Sequence, residues 1–180
     1  MSTITTYQKI LFDPLDPKEA DISIVDIAHA LSLLCRAGGH FPHFYSVAQH
    51  CVHCAKEALA RGYSQRVALG CLLHDASEAY LSDITRPVKA HLARYLEIEE
   101  TLQTTIYRKW LSPILNDKEL SLVKAVDDTL LYYEFYHIMK EPLTIDVPPL
   151  LAECEFGFVP FETVESDYLS LFQTLVKTGE

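Results

Sequence analysis

The sequence has little glycine and almost no methionine or tryptophan, with 6, 2 and 1 of them among 180 residues. So few glycines exclude a collagen-like chain. Runs of 18 apolar residues are missing, so the sequence predicts no membrane span. Met1 to Phe12 shows no basic start followed by an apolar stretch, so we expect no cleaved signal peptide and a cytoplasmic protein. Clean strand alternation and Asn-Gly or Asp-Gly turns are also missing, which disfavours β-hairpins.

Basic residues are outnumbered by acidic ones. Lys and Arg total 15 and Asp and Glu total 25, which gives a formal net charge of −10. Nucleic-acid backbones are bound largely by Lys and Arg that neutralise phosphates. We therefore expect no nucleic-acid polymer as a partner. A small phosphorylated ligand stays compatible, because a metal ion and a few local cations can reverse the field inside one pocket.

The five cysteines include a single Cys-x-x-Cys, Cys51 and Cys54, and no second pair. A structural zinc site usually takes four ligands from two such pairs. We therefore expect small buried thiols in a reducing compartment. A zinc or redox role for the pair is the alternative.

The length predicts one domain over residues 1–180, since a domain holds about 150 residues. Helix-capping residues precede several apolar-periodic segments: Ser23, Ser46, Ser64 and Asn116. Gln49 completes a capping box with the second of them, and Pro87 is placed to start a helix that runs to about Trp110. The pattern predicts an all-α, single-domain bundle of about six helices. Its core covers about residues 12–140, followed by an irregular, proline-rich segment (141–160) and a last helix (162–177).

Polar residues interrupt the buried faces of three predicted helices. His74 and Asp75 follow a continuous apolar run, where an Asp is costly unless it is paired or binds metal. His50 is expected on the inner side of its helix, and Asp127 and Asp128 break the apolar face of another. Imidazoles with carboxylates suit Mn, Fe, Co, Ni or Zn. Taken alone, this spacing is compatible with a metal site in a helical bundle and goes no further.

Three segments in this order resemble a known family: FYSVAQHCVHCA (44–55), CLLHDASEAYLSDITRPVK (71–89) and VKAVDDTLLYYE (123–134). They are similar to the ligand-bearing segments of the HD-domain metal-dependent phosphohydrolase superfamily, and the resemblance covers about residues 12–140. It implies an HD-domain helical fold with one divalent transition metal ion. The ligands that it implies are His50, His74, Asp75 and Asp127. Asp127 is preferred to Asp128 because the residues that follow it match the family's offsets.

The branch that the chain resembles best is that of the small 5′-deoxynucleotidases, which release phosphate from deoxynucleoside monophosphates. The resemblance implies that Glu78 assists the attacking water beside Asp75. It also implies that Asp83 helps to hold the substrate and that Arg36 binds its phosphate. Ala37 stands where that branch carries Trp.

Other charged residues near these segments are further candidates for substrate contacts. Arg86 and Lys89 would offset the negative net charge at the pocket, although a solvated helix start is the alternative. His40 follows two glycines, which allow the backbone to approach a ligand closely. His53 lies one turn from His50 and is a candidate partner that would support it.

Several functions remain open at this point. The first is a metal-dependent phosphohydrolase acting on deoxynucleoside 5′-monophosphates. The alternatives are a deoxynucleoside triphosphate triphosphohydrolase, a hydrolase of signalling nucleotides and a nucleotide-binding regulatory module without activity. In each case we expect a small nucleotide as the partner, and the resemblance implies a homo-oligomer.

Overall fold

Helices account for most of residues 3–177, which are the residues that the computed structural model describes. The expected all-α class is confirmed. A short antiparallel pairing of β1 (Ile4–Thr5) with β2 (Leu11–Phe12) precedes the helices. It escapes prediction because two residues per strand are too few to show an alternating pattern.

The helices follow one another with short connections. They are α1 (Ile24–Leu33), α2 (Val47–Ala60), α3 (Gln65–Leu73), α4 (Glu78–Leu81), α5 (Arg86–Lys89), α6 (Ala93–Trp110), α7 (Asp117–Glu134) and α8 (Phe161–Lys177). A π-helical turn, Phe135–Met139, extends α7, and 3-10 turns lie at Glu19–Asp21 and Arg36–Gly39. Within residues 3–177, no helix combines the length and the apolar character needed to cross a membrane.

The predicted helix starts are confirmed by side chains that accept hydrogen bonds from first-turn amides: Ser23, Ser46, Ser64 and Asn116. The prediction of a capping box at the start of α2 is wrong. Gln49 is instead buried and donates from Nε2 to the carbonyls of Glu155 and Gly157, 2.8 and 3.2 Å away. A complete capping box is found at the start of α7, where the Glu119 carboxylate accepts a hydrogen bond from the backbone amide of Asn116.

The single helix predicted from Pro87 to Trp110 is also wrong, because the chain breaks into α5 and α6. Leu92 has φ −111° and ψ 68°, outside the helical region. The break lets α6 pack against α5 and brings Lys89 Nζ to 2.7 Å from Glu99 Oε1. No glycine or proline marks this break, so the sequence pattern could not reveal it.

Helix α2 occupies the centre of the bundle and packs against α1, α3, α7 and α8. It is therefore buried along most of its length, including its polar residues. The irregular segment 141–160 is confirmed and lies against this helix. The fully buried Glu57 carboxylate accepts hydrogen bonds from the amides of Leu151 and Ala152, at 2.9 and 2.7 Å. This bonding satisfies a buried charge and fastens the segment to the bundle.

Candidate metal centre and its cavity

The four predicted ligand side chains converge where α2, the end of α3 and α7 meet. His50 Nε2 lies 3.3 Å from His74 Nε2, 3.3 Å from Asp127 Oδ1 and 3.9 Å from Asp75 Oδ2. His74 Nε2 lies 3.3 Å from Asp75 Oδ2 and 3.8 Å from Asp127 Oδ1. Atoms bound at about 2.1 Å to one ion are at most about 4.2 Å apart. These separations are therefore compatible with a shared coordination sphere.

Both histidines are oriented by their second ring nitrogen. His50 Nδ1 lies 2.5 Å from Glu134 Oε1, and His74 Nδ1 lies 2.7 Å from the carbonyl of Cys71. Both partners are acceptors, so each Nδ1 carries the donated proton, and in the neutral ring the lone pair lies on Nε2. The cluster thus joins two imidazole lone pairs to two carboxylates. This set of acceptors is chemically suited to a divalent cation.

Protons compete for the same atoms. Burial lowers the pKa of His74, but the Asp75 carboxylate offsets this and raises it well above the ordinary histidine value. Burial raises the pKa of Asp127, and hydrogen bonds from His50 and His74 outweigh it and hold it well below the ordinary value. Any metal binding at this cluster must therefore weaken as the pH falls.

Glu134 is the residue of this site that the sequence reasoning did not assign. It lies seven residues after Asp127, on the same face of α7, and is 0% exposed. Burial raises its pKa, but the neighbouring His50 and Arg36 lower it to about 2. His53, the candidate partner of His50, instead hydrogen-bonds the Tyr45 hydroxyl at 2.9 Å, so that prediction is wrong.

Thiols line the inner side of the cluster. Cys54 Sγ lies 3.4 Å from His50 Nε2. Two further groups that could hold a metal are His50 with Cys54 and His74, and Cys51 with His74 and Asp75. Burial raises the pKa of Cys51 to about 11 and that of Cys54 well above its ordinary value. All five cysteines are free, and Cys35 is exposed rather than buried as expected.

Arg36 reaches the cluster from the 3-10 turn that follows α1. Its guanidinium lies 3.2 Å from Asp75 Oδ2, 3.2 Å from Glu134 Oε2 and 3.6 Å from Asp127 Oδ1. The side chain is only 11% exposed. Arg36 therefore balances three carboxylates while it borders the cavity described next.

A cavity of about 500 Å³ opens above the cluster. The predicted site residues that line it are Arg36, Asp75, Glu78, Asp83, Arg86, Lys89 and Asp127. His50 and His74 are not among the lining residues, but both contact Asp75 and Asp127. His40 is exposed and is not among the lining residues, so the structure does not bring it to the cavity.

Glu78 is buried in the cavity wall with 5% exposure. Its Oε2 has no hydrogen-bond partner among residues 3–177, and its Oε1 lies 3.5 Å from Lys89 Nζ. Burial and the charge of Asp75 raise the pKa of Glu78 to about 9. A carboxyl with so perturbed a pKa inside a cavity is typical of functional sites.

The outer part of the cavity is more exposed. Arg86 is 53% exposed and contacts Asp127 Oδ2 at 2.5 Å and Asp128 Oδ1 at 2.9 Å. Asp128 also pairs with Lys124 at 2.8 Å, so it faces outward from its neighbour Asp127. Burial raises the pKa of Asp83.

Comparison with known proteins gives relatives but no activity. No protein-family model matches the chain. The chain is 40% identical over 119 residues to the uncharacterized protein YfdR of Escherichia coli, a match that covers 64% of this chain and 63% of YfdR. It is 37% identical over 122 residues to an uncharacterized protein of Rhodobacter capsulatus, covering 64% of this chain and 62% of the relative. The matched region thus spans less than two thirds of the length of either relative.

Proposed function

We propose that this protein is a metal-dependent phosphohydrolase that releases phosphate from nucleotides, with deoxynucleoside 5′-monophosphates as the favoured substrates. One observation carries the proposal. Five atom pairs among the acceptor atoms of His50, His74, Asp75 and Asp127 are 3.3 to 3.9 Å apart. Asp75 and Asp127 line a cavity that also holds a buried carboxyl and three basic side chains, and His50 and His74 contact these two carboxylates.

These four residues would hold the divalent ion of the proposed enzyme. When bound, such an ion supplies a Lewis acid and lowers the pKa of bound water. Glu78 Oε2 is without a partner among the described residues, so it is available to orient a water. Arg36 and Lys89 supply positive charge where negative charge builds up on a transferred phosphoryl group.

The shape and chemistry of the cavity favour a nucleotide over inorganic phosphate. Arg36, Arg86 and Lys89 offer cationic donors, while the remaining wall includes apolar side chains: Ala37, Ile84, Leu131, Phe135 and Leu143. Ligand sites combine such an apolar lining with a few placed polar groups. A phosphate at the floor would leave the apolar wall for a sugar and a base.

Product identification tests the proposal. Purified protein is stripped of metal, reloaded with Mn, Co, Ni or Zn and given deoxy- and ribonucleoside mono- and triphosphates, with products separated by chromatography. We expect nucleoside and inorganic phosphate from monophosphates. Nucleoside with intact triphosphate would move the assignment to a triphosphohydrolase.

A double variant, His74→Ala with Asp75→Ala, controls for a contaminating phosphatase. Equal product from this variant, or no product with any metal, would overturn the proposal for these substrates. The same panel extended to signalling nucleotides would then test the remaining hydrolase alternative. Tight nucleotide binding without turnover would instead identify a regulatory module.

A further inference from the structure

Lys89 stands between two carboxylates that belong to different parts of the molecule. Its Nζ lies 2.7 Å from Glu99 Oε1 on α6 and 3.5 Å from Glu78 Oε1 in the cavity wall. The first distance is that of a charge-assisted hydrogen bond, whereas the second is too long for one. The ammonium group is therefore held by Glu99, although a second acceptor is nearby.

Helix α6 holds the lysine from more than one side. Tyr95 places its ring 5.7 Å from Lys89 Nζ, and its hydroxyl donates to the carbonyl of Ser82 at 2.9 Å. Burial lowers the pKa of Lys89, but the hydrogen bond to Glu99 and the charge of Glu78 outweigh it and raise the pKa. Lys89 is therefore charged and restrained.

Lys89 also separates two cavities. It lines the main cavity and a second one of about 330 Å³, which is lined as well by His74, Asp75 and Glu99. Glu99 borders only the second of these two and Glu78 only the first, and the lysine contacts both carboxylates. This arrangement keeps the ammonium group drawn away from the Glu78 carboxyl.

We propose that Glu99 is a positioning residue that holds Lys89 away from Glu78, which keeps Glu78 free for a water molecule. This inference rests on the proposed function. A lysine released from Glu99 would close the 3.5 Å gap and pair with Glu78. The Glu78 carboxyl would then be drawn toward the lysine through Oε1, and its unpartnered Oε2 would lose the position that its proposed role requires.

Steady-state hydrolysis by a double-mutant cycle tests this inference. The variants are Glu99→Gln, Lys89→Met and the two combined, with Glu97→Gln as an exposed control on the same helix. We expect Glu99→Gln to lower kcat about tenfold, the size of one charge-assisted hydrogen bond, with KM changed by less than about threefold. In the Lys89→Met background the Glu99→Gln change should have no further effect, because Glu99 acts through the lysine.

Two kinetic results would overturn the inference while the proposed function stands. One is a Glu99→Gln variant with the kcat of the wild type; the other is an equal loss in both backgrounds. A crystal structure of the Glu99→Gln variant gives a readout that does not need activity. We expect Lys89 Nζ within about 3 Å of the Glu78 carboxyl, and an unchanged gap would contradict the inference. Absence of hydrolysis by the wild type would instead overturn the proposed function.

Discussion

The main cavity has charged residues both at its floor and at its mouth, but the two are built differently. The floor, which we define as Asp75 and Asp127 together with the His50 and His74 side chains that contact them, comes from helices packed at the centre of the bundle. The mouth, defined as Asp83 and Arg86, comes from the connection that runs from α4 into α5. Each floor imidazole is fixed by a second partner, whereas Arg86 at the mouth is more than half exposed.

This difference in burial separates the residues that we expect to act in the reaction from those that we expect to select the substrate. A buried charged group must be paired to be tolerated, so the floor has little freedom in geometry. Exposed ion pairs are worth only about 0–1 kcal/mol, so the mouth can rearrange around a ligand. We therefore expect substitutions at the floor to abolish the reaction and substitutions at the mouth to change mainly the affinity for substrate.

The largest effect is expected at the floor residue Asp127. Its neighbour Asp128 lies outside the floor and is the matched control. Asp127→Asn removes a floor carboxylate, and we expect kcat to fall by at least about 100-fold. Asp128→Asn changes a carboxylate paired with Arg86 and Lys124, and we expect less than about a fivefold change. Initial rates of phosphate release on the metal-loaded proteins measure both. Equal losses would show that the floor has been assigned to the wrong carboxylates.

The next largest effect is expected at Glu134, which supports the floor residue His50. Glu134→Gln weakens the hydrogen bond that orients His50, and we expect the affinity for Zn or Co to fall about 10- to 100-fold. Glu57→Gln is a matched control, because this carboxylate is equally buried but binds the amides of residues 151 and 152 instead. Competition with a chromophoric chelator gives both affinities. If Glu57→Gln lowered the metal affinity as much as Glu134→Gln does, the loss would reflect general damage to the bundle.

Glu134 and Leu92 show which features of the molecule could not be predicted from the sequence. The helix caps follow from local patterns, since Ser, Asn and apolar spacing act within one or two turns, whereas the four predicted ligands follow from the resemblance of three segments to a known family. The pairing of His50 with Glu134 joins residues 84 positions apart, and nothing local distinguishes Glu134 from His53 as the partner. The break at Leu92 is likewise fixed by packing of α6 on α5 rather than by a glycine or proline.

A smaller effect is expected at the mouth. Arg86→Ala removes an exposed cation, and we expect KM for a deoxynucleoside monophosphate to rise about fivefold with kcat little changed. His40→Ala serves as the comparison, because His40 is exposed and does not line the cavity. We expect no change in KM for it. A rise in KM for His40→Ala alone would mean that the substrate extends beyond the cavity.

The last prediction concerns the pH dependence of stability rather than the reaction. Glu78 has a pKa of about 9 in the folded chain against 4.5 ordinarily, so between these values the folded state holds the extra proton. Stability must therefore fall as the pH rises through this range. Glu78→Gln cannot ionise, so its advantage in Tm over the wild type should grow from about pH 5 to about pH 8, by about 10 °C. Thermal unfolding of both proteins after chelator treatment measures this, and parallel curves would place Glu78 in a more polar setting.

The central claim is that the floor residues together bind one divalent ion. The most direct measurement is the metal content of the wild type, Asp127→Asn and Asp128→Asn after loading with Zn or Co and exhaustive dialysis, by elemental analysis. We expect one ion per chain in the wild type and in Asp128→Asn, and a small fraction of that in Asp127→Asn. A wild type without metal, or an Asp127→Asn protein that keeps a full equivalent, would contradict it.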